Sequence, residues 1–260
     1  MFVNSINPIL FENNFLAIRW YGLFLGIAVL LSVLLLHRLF VEKNYRGELA
    51  LDLSLYLIIG GLVGARLGHI LFYNFTYFLA YPQEIIFINH GGLSSHGLTV
   101  GLLVSFFLFC KVKKIKWKEI VDLIVIPIPI LIFFIRLGNF FNSEIVGRST
   151  DLPWGIKYLN FEYNQVFRHP SQLYEALIGI LIFVVIFYIY KKYKNLPQLY
   201  LVHIFIFLYF TSRFLIEFTK EFQVLTSDFG LTMGQFLSLP FIIYGILFFY
   251  NKKYNNKKYE

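Results

Sequence analysis

Residues 18–39 read IRWYGLFLGIAVLLSVLLLHRL, with charge only at Arg19 and Arg38, next to the two ends. A helix that crosses a bilayer needs about 20 mostly apolar residues, so this stretch is expected to span a membrane. It does not have the form of a cleaved leader: no Lys or Arg precedes Ile18, and no small-residue cleavage site follows Leu39. Six further stretches have the same character: Leu49–Phe72, Gly97–Lys111, Ile120–Arg136, Leu173–Tyr190, Leu201–Ile216 and Gln235–Tyr250. The expectation is an all-α polytopic membrane protein of seven helices, one membrane domain over residues 1–260.

Composition agrees. The 260 residues are 58% hydrophobic and 15% charged, whereas soluble domains run to about 45–50% and about 25%. A chain of this size cannot hide that excess in one soluble core. The single Cys110 rules out an internal disulfide and a cysteine-ligated metal cluster. On a membrane protein the net charge of +8 points to cytoplasmic loops, not to nucleic acid.

The 23 Lys and Arg residues orient the spans. Fifteen lie in four segments that alternate with the others: Arg38, Lys43 and Arg46; Lys111, Lys113, Lys114, Lys116 and Lys118; Lys191, Lys192 and Lys194; Lys252, Lys253, Lys257 and Lys258. The opposite segments hold four: Arg148, Lys157, Arg168 and Lys220. The positive-inside rule then puts the N-terminus outside, the C-terminus in the cytoplasm, and a loop of about 137–172 outside. Glycines four apart (Gly60, Gly64 and Gly68; Gly22 and Gly26; Gly97 and Gly101) read as helix-packing faces. No internal repeat of the kind found in many transporters is evident.

Arg19, Arg66, Arg136 and Arg213 lie in or at the ends of spans, all in the expected outer half. An ionised side chain there is costly, and so marks a candidate site unless it merely reaches the headgroups. Four polar clusters share that side: HGGLSSHG (90–97), RLGNFFNSEIVG and Arg148 (136–148), RHPSQLYE (168–175) and RFLIE (213–217). Arg136, Asn139 and Asn142 step by three and share a helical face. Arg213 and Glu217, four apart, are expected to pair, and Arg66 sits three residues from His69. His90 reads as loop. His169, Pro170 and Ser171 read as a helix start, Glu175 as a first-turn carboxylate favoured by the helix dipole, and Tyr21 as one of many belt aromatics. Guanidinium groups suit phosphate, so the ring suits an anionic phospholipid head group.

The segment RLGNFFNSEIVG (136–147) closely resembles the signature of the prolipoprotein diacylglyceryl transferases. The resemblance runs along nearly the whole chain through IRWYG (18–22), GARLG (64–68), LFYN (71–74), GGLSSHG (91–97), residues 168–176, RFLIE (213–217) and TMGQ (232–235). The chain departs from the family at Ser95, where an aromatic is usual, at Leu98, where a glycine is common, and at Lys220, Glu221 and Phe222, where Arg, Glu and Pro are usual. The resemblance implies transfer of a diacylglyceryl group from phosphatidylglycerol to the lipobox cysteine thiol of a prolipoprotein. A thioether forms and glycerol phosphate is released, at a bacterial inner membrane, with no cofactor, metal or nucleic acid involved. It implies that Arg136 binds the lipid head group and that Arg213 is the second essential cation. Asn139 and Asn142 would position glycerol and phosphate oxygens, and Glu144 and Glu217 would orient the arginines. Tyr21, Arg66 and Gly147 complete the lipid-binding set. His96 is the candidate base, since its ordinary pKa is nearest the working pH. A carrier for anionic lipids would use the same arginines, but it should have a polar path through the inner half as well. A non-catalytic scaffold would leave the buried arginines unexplained.

Overall fold

The structure, a computed structural model, describes residues 2–13, 16–87, 91–160, 165–221 and 230–257. It is all-α apart from a few short strands. Among the described residues, seven helices are long and apolar enough to cross a membrane: Trp20–Glu42, Glu48–Phe72, Ser95–Val112, Trp117–Phe141, Ser171–Lys192, Tyr200–Glu217 and Met233–Asn251. Within the molecule at most 33% of any of them is buried. Their apolar faces therefore point mostly outward, as lipid requires of a spanning helix.

We number the elements along the chain. Strands β1 (Phe2–Asn4), β2 (Ile9–Glu12) and β3 (Ala17–Arg19) precede α1 (Trp20–Glu42) and α2 (Glu48–Phe72). A short helix α3 (Phe75–Ala80) and a 3₁₀ turn (Pro82–Ile86) lead to α4 (Ser95–Val112). The fourth span is not one helix. It is α5 (Trp117–Val125) and α6 (Ile128–Phe141), broken at Pro127. Pro disfavours helical backbone in the residue before it and lacks the N–H that would continue the ladder. Strand β4 (Ile156–Tyr158), α7 (Ser171–Lys192), α8 (Tyr200–Glu217) and α9 (Met233–Lys257) complete the order.

The chain forms two compact units, Val33–Ile120 and Met1–Ser32 with Val121–Glu260, and passes from one to the other inside α1 and inside α5. In the first unit α2 packs on α4 through glycine. A Cβ on Gly101 would lie 2.1 Å from the Gly60 carbonyl oxygen, and one on Gly97 would lie 2.2 Å from that of Gly64. Close backbone approach of this kind is how helices associate in lipid, where apolar side chains gain nothing by leaving the tails. Ser94 caps α4, accepting the Gly97 N–H at 3.3 Å, while its own N–H donates to the Ala65 carbonyl at 2.9 Å.

In the second unit α7 packs on both α6 and α8, and α8 on α9. The described residues between α6 and α7 form a platform with the N-terminal strand. Strand β1 pairs in parallel with β4, and buried Asn4 donates its side-chain amide to the Phe140 carbonyl at 3.0 Å. Phe140, Ile156 and Tyr158 form the core of this platform. The Tyr158 hydroxyl reaches the Gln172 side-chain oxygen at 3.2 Å. The N-terminal residues thus fix the end of α6, where the polar cluster that begins at Arg136 leaves the helix.

Candidate active site

Helix α6 continues five residues past Arg136, so Arg136 and Asn139 stand on its last turns and Asn142 caps it. Ser143 and Ile145 both have positive φ, 55° each, a costly choice for a β-branched residue. That double turn folds Glu144 back over the helix end. Asn139 and Asn142 each donate their amide to one Glu144 carboxylate oxygen at 3.2 Å. Arg136 Nη1 donates to Asn139 Oδ1 at 3.3 Å. Gln172 holds the turn from α7 by donating to the Glu144 carbonyl at 2.6 Å. Glu144 therefore orients the two amides directly, and Arg136 through Asn139.

The carboxylate paired with Arg136 is Glu175, which the sequence suggested only as a helix-dipole partner. Its Oε2 lies 2.5 Å from Arg136 Nε, and its Oε1 lies 2.6 Å from Lys220 Nζ. The residue is 7% exposed. The signal was present: Glu175 is an ionisable group inside a spanning helix, the criterion that singled out the arginines.

The expected Arg213–Glu217 pair does not form. Glu217 instead lies 3.5 Å from Lys220, and its carboxylate is packed against Gly234, where a Cβ would come within 2.5 Å of Glu217 Cδ. Spacing allowed both partners on one helix, and the buried ammonium three residues on takes the carboxylate. Among the described residues Arg213 makes no ion pair or hydrogen bond. It lines, with Arg136 and Glu175, a cleft whose other walls include Ile132, Ile178, Ile182, Ile216 and Tyr209. The lining thus combines two guanidinium groups and one carboxylate with isoleucine side chains.

Gly147 faces Lys220 in an antiparallel bridge. A Cβ there would meet the Ser171 hydroxyl, the Thr219 carbonyl and His169 within 2.6 Å, so no larger residue fits. Its carbonyl accepts from Arg168 Nη1 at 3.0 Å, and Arg168 is also ion-paired with Glu221. Burial, and secondarily Arg148, hold the pKa of His169 below its ordinary value. Half-buried Tyr21 lies against Gly138, where a Cβ would stand 2.8 Å from the ring.

Arg66 and His96 belong to the other unit. Arg66, expected among the lipid-binding cations, is 6% exposed and has every donor occupied by backbone. Nε donates to Ile85 O at 3.0 Å, Nη1 to Gly91 O at 2.5 Å and Gly92 O at 3.1 Å, and Nη2 to Glu84 O at 2.5 Å and Phe87 O at 3.2 Å. Its guanidinium also lies over Phe78 at 5.0 Å. A guanidinium has five N–H groups, so none is left for a phosphate. His69 bonds Asn74 at 3.2 Å and stacks on Tyr73. His96 is exposed in the first turn of α4, with no hydrogen-bond partner among the described residues. His90 and Phe222 lie outside the described residues. Among the described residues no three His, Cys, Asp or Glu side chains gather into a metal site.

The chain matches the family model described as prolipoprotein diacylglyceryl transferase over residues 8–251. A phosphatidylglycerol–prolipoprotein diacylglyceryl transferase of Bacteroides fragilis is 38% identical over 263 residues, covering 95% of this chain and 94% of that protein. The enzyme of the same name from Tolumonas auensis is 38% identical over 245 residues, covering 94% of each. That from Wolbachia pipientis is 35% identical over 265 residues, covering 98% of this chain and all of that protein.

Proposed function

The chain belongs to the prolipoprotein diacylglyceryl transferase family, and on that premise we propose a site, a mechanism and a sidedness for it. It is a multi-pass membrane enzyme that moves the diacylglyceryl group of phosphatidylglycerol to a prolipoprotein, the first step of lipoprotein maturation. We take the acceptor to be the lipobox cysteine thiol. The sulfur attacks the glycerol carbon, a carbon–sulfur bond forms, the carbon–oxygen bond to phosphate breaks, and glycerol phosphate leaves with both electrons of that bond.

Two events limit such a displacement. The thiol, with an ordinary pKa near 8.5, must lose its proton, and the leaving phosphate must have its growing charge met. Arg136 and Arg213 lining one cleft is the observation that carries the reading. Arg213 offers an uncommitted guanidinium. Arg136 is held on two sides, by Asn139 and Glu175, with Nη2 left to face the phosphate. Donors fixed in advance where charge develops are the usual source of large rate effects. Asn139, Asn142 and Glu144 set the edge of the pocket, and Tyr21 and Gly147 shape it. Glu217 acts at one remove, through Lys220. His96 takes the thiol proton. Arg66 positions the segment before α4 and does not bind lipid.

We place the N-terminus and residues 137–172 outside a bacterial inner membrane and the C-terminus in the cytoplasm, and read residues 1–260 as one polytopic membrane domain. The supporting observation is the distribution of Lys and Arg. Incubation of purified enzyme with phosphatidylglycerol and a lipobox peptide tests the chemistry. The peptide should gain one diacylglyceryl mass and glycerol phosphate should appear in equal amount. A peptide unchanged in mass, or one acylated without glycerol phosphate, would overturn it.

A further inference from the structure

We propose that Lys220 is a positioning residue for the transfer. Bridging Glu175 and Glu217, it fixes Glu175 and, through Glu175, the guanidinium of Arg136. The proposal rests on the reading that Arg136 acts on the phosphate.

Glu175 and Glu217 are 7% and 5% exposed, and the Lys220 side chain is 10% exposed. Two buried carboxylates that approach one another are costly unless a cation compensates both. Lys220 does so, at 2.6 Å from Glu175 Oε1 and 3.5 Å from Glu217 Oε2. The other Glu175 oxygen lies 2.5 Å from Arg136 Nε. The order of contacts is therefore Glu217, Lys220, Glu175, Arg136, with alternating charge from the end of α8 through α7 to α6.

The backbone of Lys220 is held as firmly as its ammonium. Lys220 stands opposite Gly147 in an antiparallel bridge, and the Arg148 N–H donates to the neighbouring Thr219 carbonyl at 2.9 Å. The segment after α8 is thereby tied to the loop that leaves the Arg136 helix. An ammonium is a point charge on a flexible stem, and the two carboxylates leave it one place to sit. If it is removed, Glu175 loses its second cation and Arg136 loses the fixed position of the carboxylate beside its Nε. A misplacement of about 1 Å in a catalytic group can cost about 100-fold in rate.

A double-mutant cycle in the phosphatidylglycerol–peptide assay tests this, with rates taken per folded, monodisperse molecule. Lys220→Met should lower kcat by about 10–100-fold while KM for phosphatidylglycerol changes little. Lys220→Arg keeps a cation between the carboxylates and should retain most of the rate. Because Lys220 acts through Glu175, Glu175→Gln/Lys220→Met should be no slower than Glu175→Gln alone. If Lys220→Met folds too poorly to assay, Lys220→Gln takes its place in the same cycle. Wild-type kcat in the neutral variant, multiplicative effects in the cycle, or a Lys220→Arg as slow as Lys220→Met would each overturn the proposal. An inactive wild type would instead refute the transferase chemistry, and an active Arg136→Ala would refute the role of Arg136.

Discussion

Arg66 provides a test of what a buried arginine is for in this protein. Arg66→Ala removes five hydrogen bonds to the carbonyls of Glu84, Ile85, Phe87, Gly91 and Gly92, and a cation that lies over Phe78. Bonds to charged groups contribute about 1.5–3 kcal/mol each, so the gross interaction is of order 10 kcal/mol. The desolvation of the guanidinium offsets much of this, and some of the freed carbonyls will find water. The measured loss should then be near the ~3–5 kcal/mol that follows removal of one partner from a buried charged network. That is a large part of the whole stability of an ordinary domain, about 5–15 kcal/mol. Arg66→Lys keeps the charge, but its three donors at a single nitrogen cannot reach five carbonyls spread over two stretches of chain, so it should recover less than half of the loss. The assay is thermal unfolding in detergent together with limited proteolysis around residues 82–94. Both variants should melt earlier and be cut there faster, while KM for phosphatidylglycerol in the folded fraction stays close to wild type. If Arg66→Lys melts and digests like wild type but needs tenfold more phosphatidylglycerol, the clamp is wrong and Arg66 is a lipid-binding cation.

Gly101→Ala would put a Cβ 2.1 Å from the Gly60 carbonyl oxygen, which cannot move without moving α2; a loss of at least ~1–3 kcal/mol is expected in the same melting assay, whereas Gly22→Ala, with nothing within 4 Å, should melt like wild type. His169 has a folded-state pKa held below its ordinary 6.5 by burial and Arg148. The folded form thus binds fewer protons than the unfolded one in that window, so its contribution to stability is intact above 6.5 and is lost as pH falls through the lowered value. His169→Gln should flatten the decline in melting temperature between neutral and mildly acid pH, and an unchanged decline would refute this. A cysteine replacing Lys157 should react with an impermeant thiol reagent in intact cells and one replacing Lys114 should not; the reverse pattern would invert the proposed orientation.

The spans were legible because each depends on one local property, a run of apolar residues long enough to cross a bilayer, which needs no partner to be recognised. What depends on a partner was read less well. The glycines of α1, α2 and α4 carry the same four-residue spacing, yet Gly60, Gly64, Gly97 and Gly101 pack backbone on backbone while Gly22 and Gly26 have nothing within 4 Å. Spacing identifies a face that can be approached closely and not the helix that approaches it. The pairing of β1 with β4 joins residues about 150 positions apart and has no periodic signal at all. The break at Pro127 was written in the sequence, and was hidden by the apolar run around it, because hydropathy does not register a lost N–H.

The same difference governs the site. The step of three through Arg136, Asn139 and Asn142 correctly placed all three at one helix end, because that geometry is internal to α6. The partners of charged groups are decided by competition. Glu217 could have paired with Arg213 on its own helix, but Lys220 offers a buried ammonium 3.5 Å away, and the missing side chain at Gly234 leaves the carboxylate room there. Arg136 is paired from α7 by Glu175, a contact that no spacing within either segment contains. These pairings leave Arg213 as the cleft-lining guanidinium with no carboxylate of its own among the described residues. An arginine whose donors are already taken can shape a pocket; one whose donors are free can receive a phosphate. By that criterion Arg66 and Arg213, alike in sequence as cations within spans, belong to opposite classes. Only the contacts made by residues far along the chain separate them.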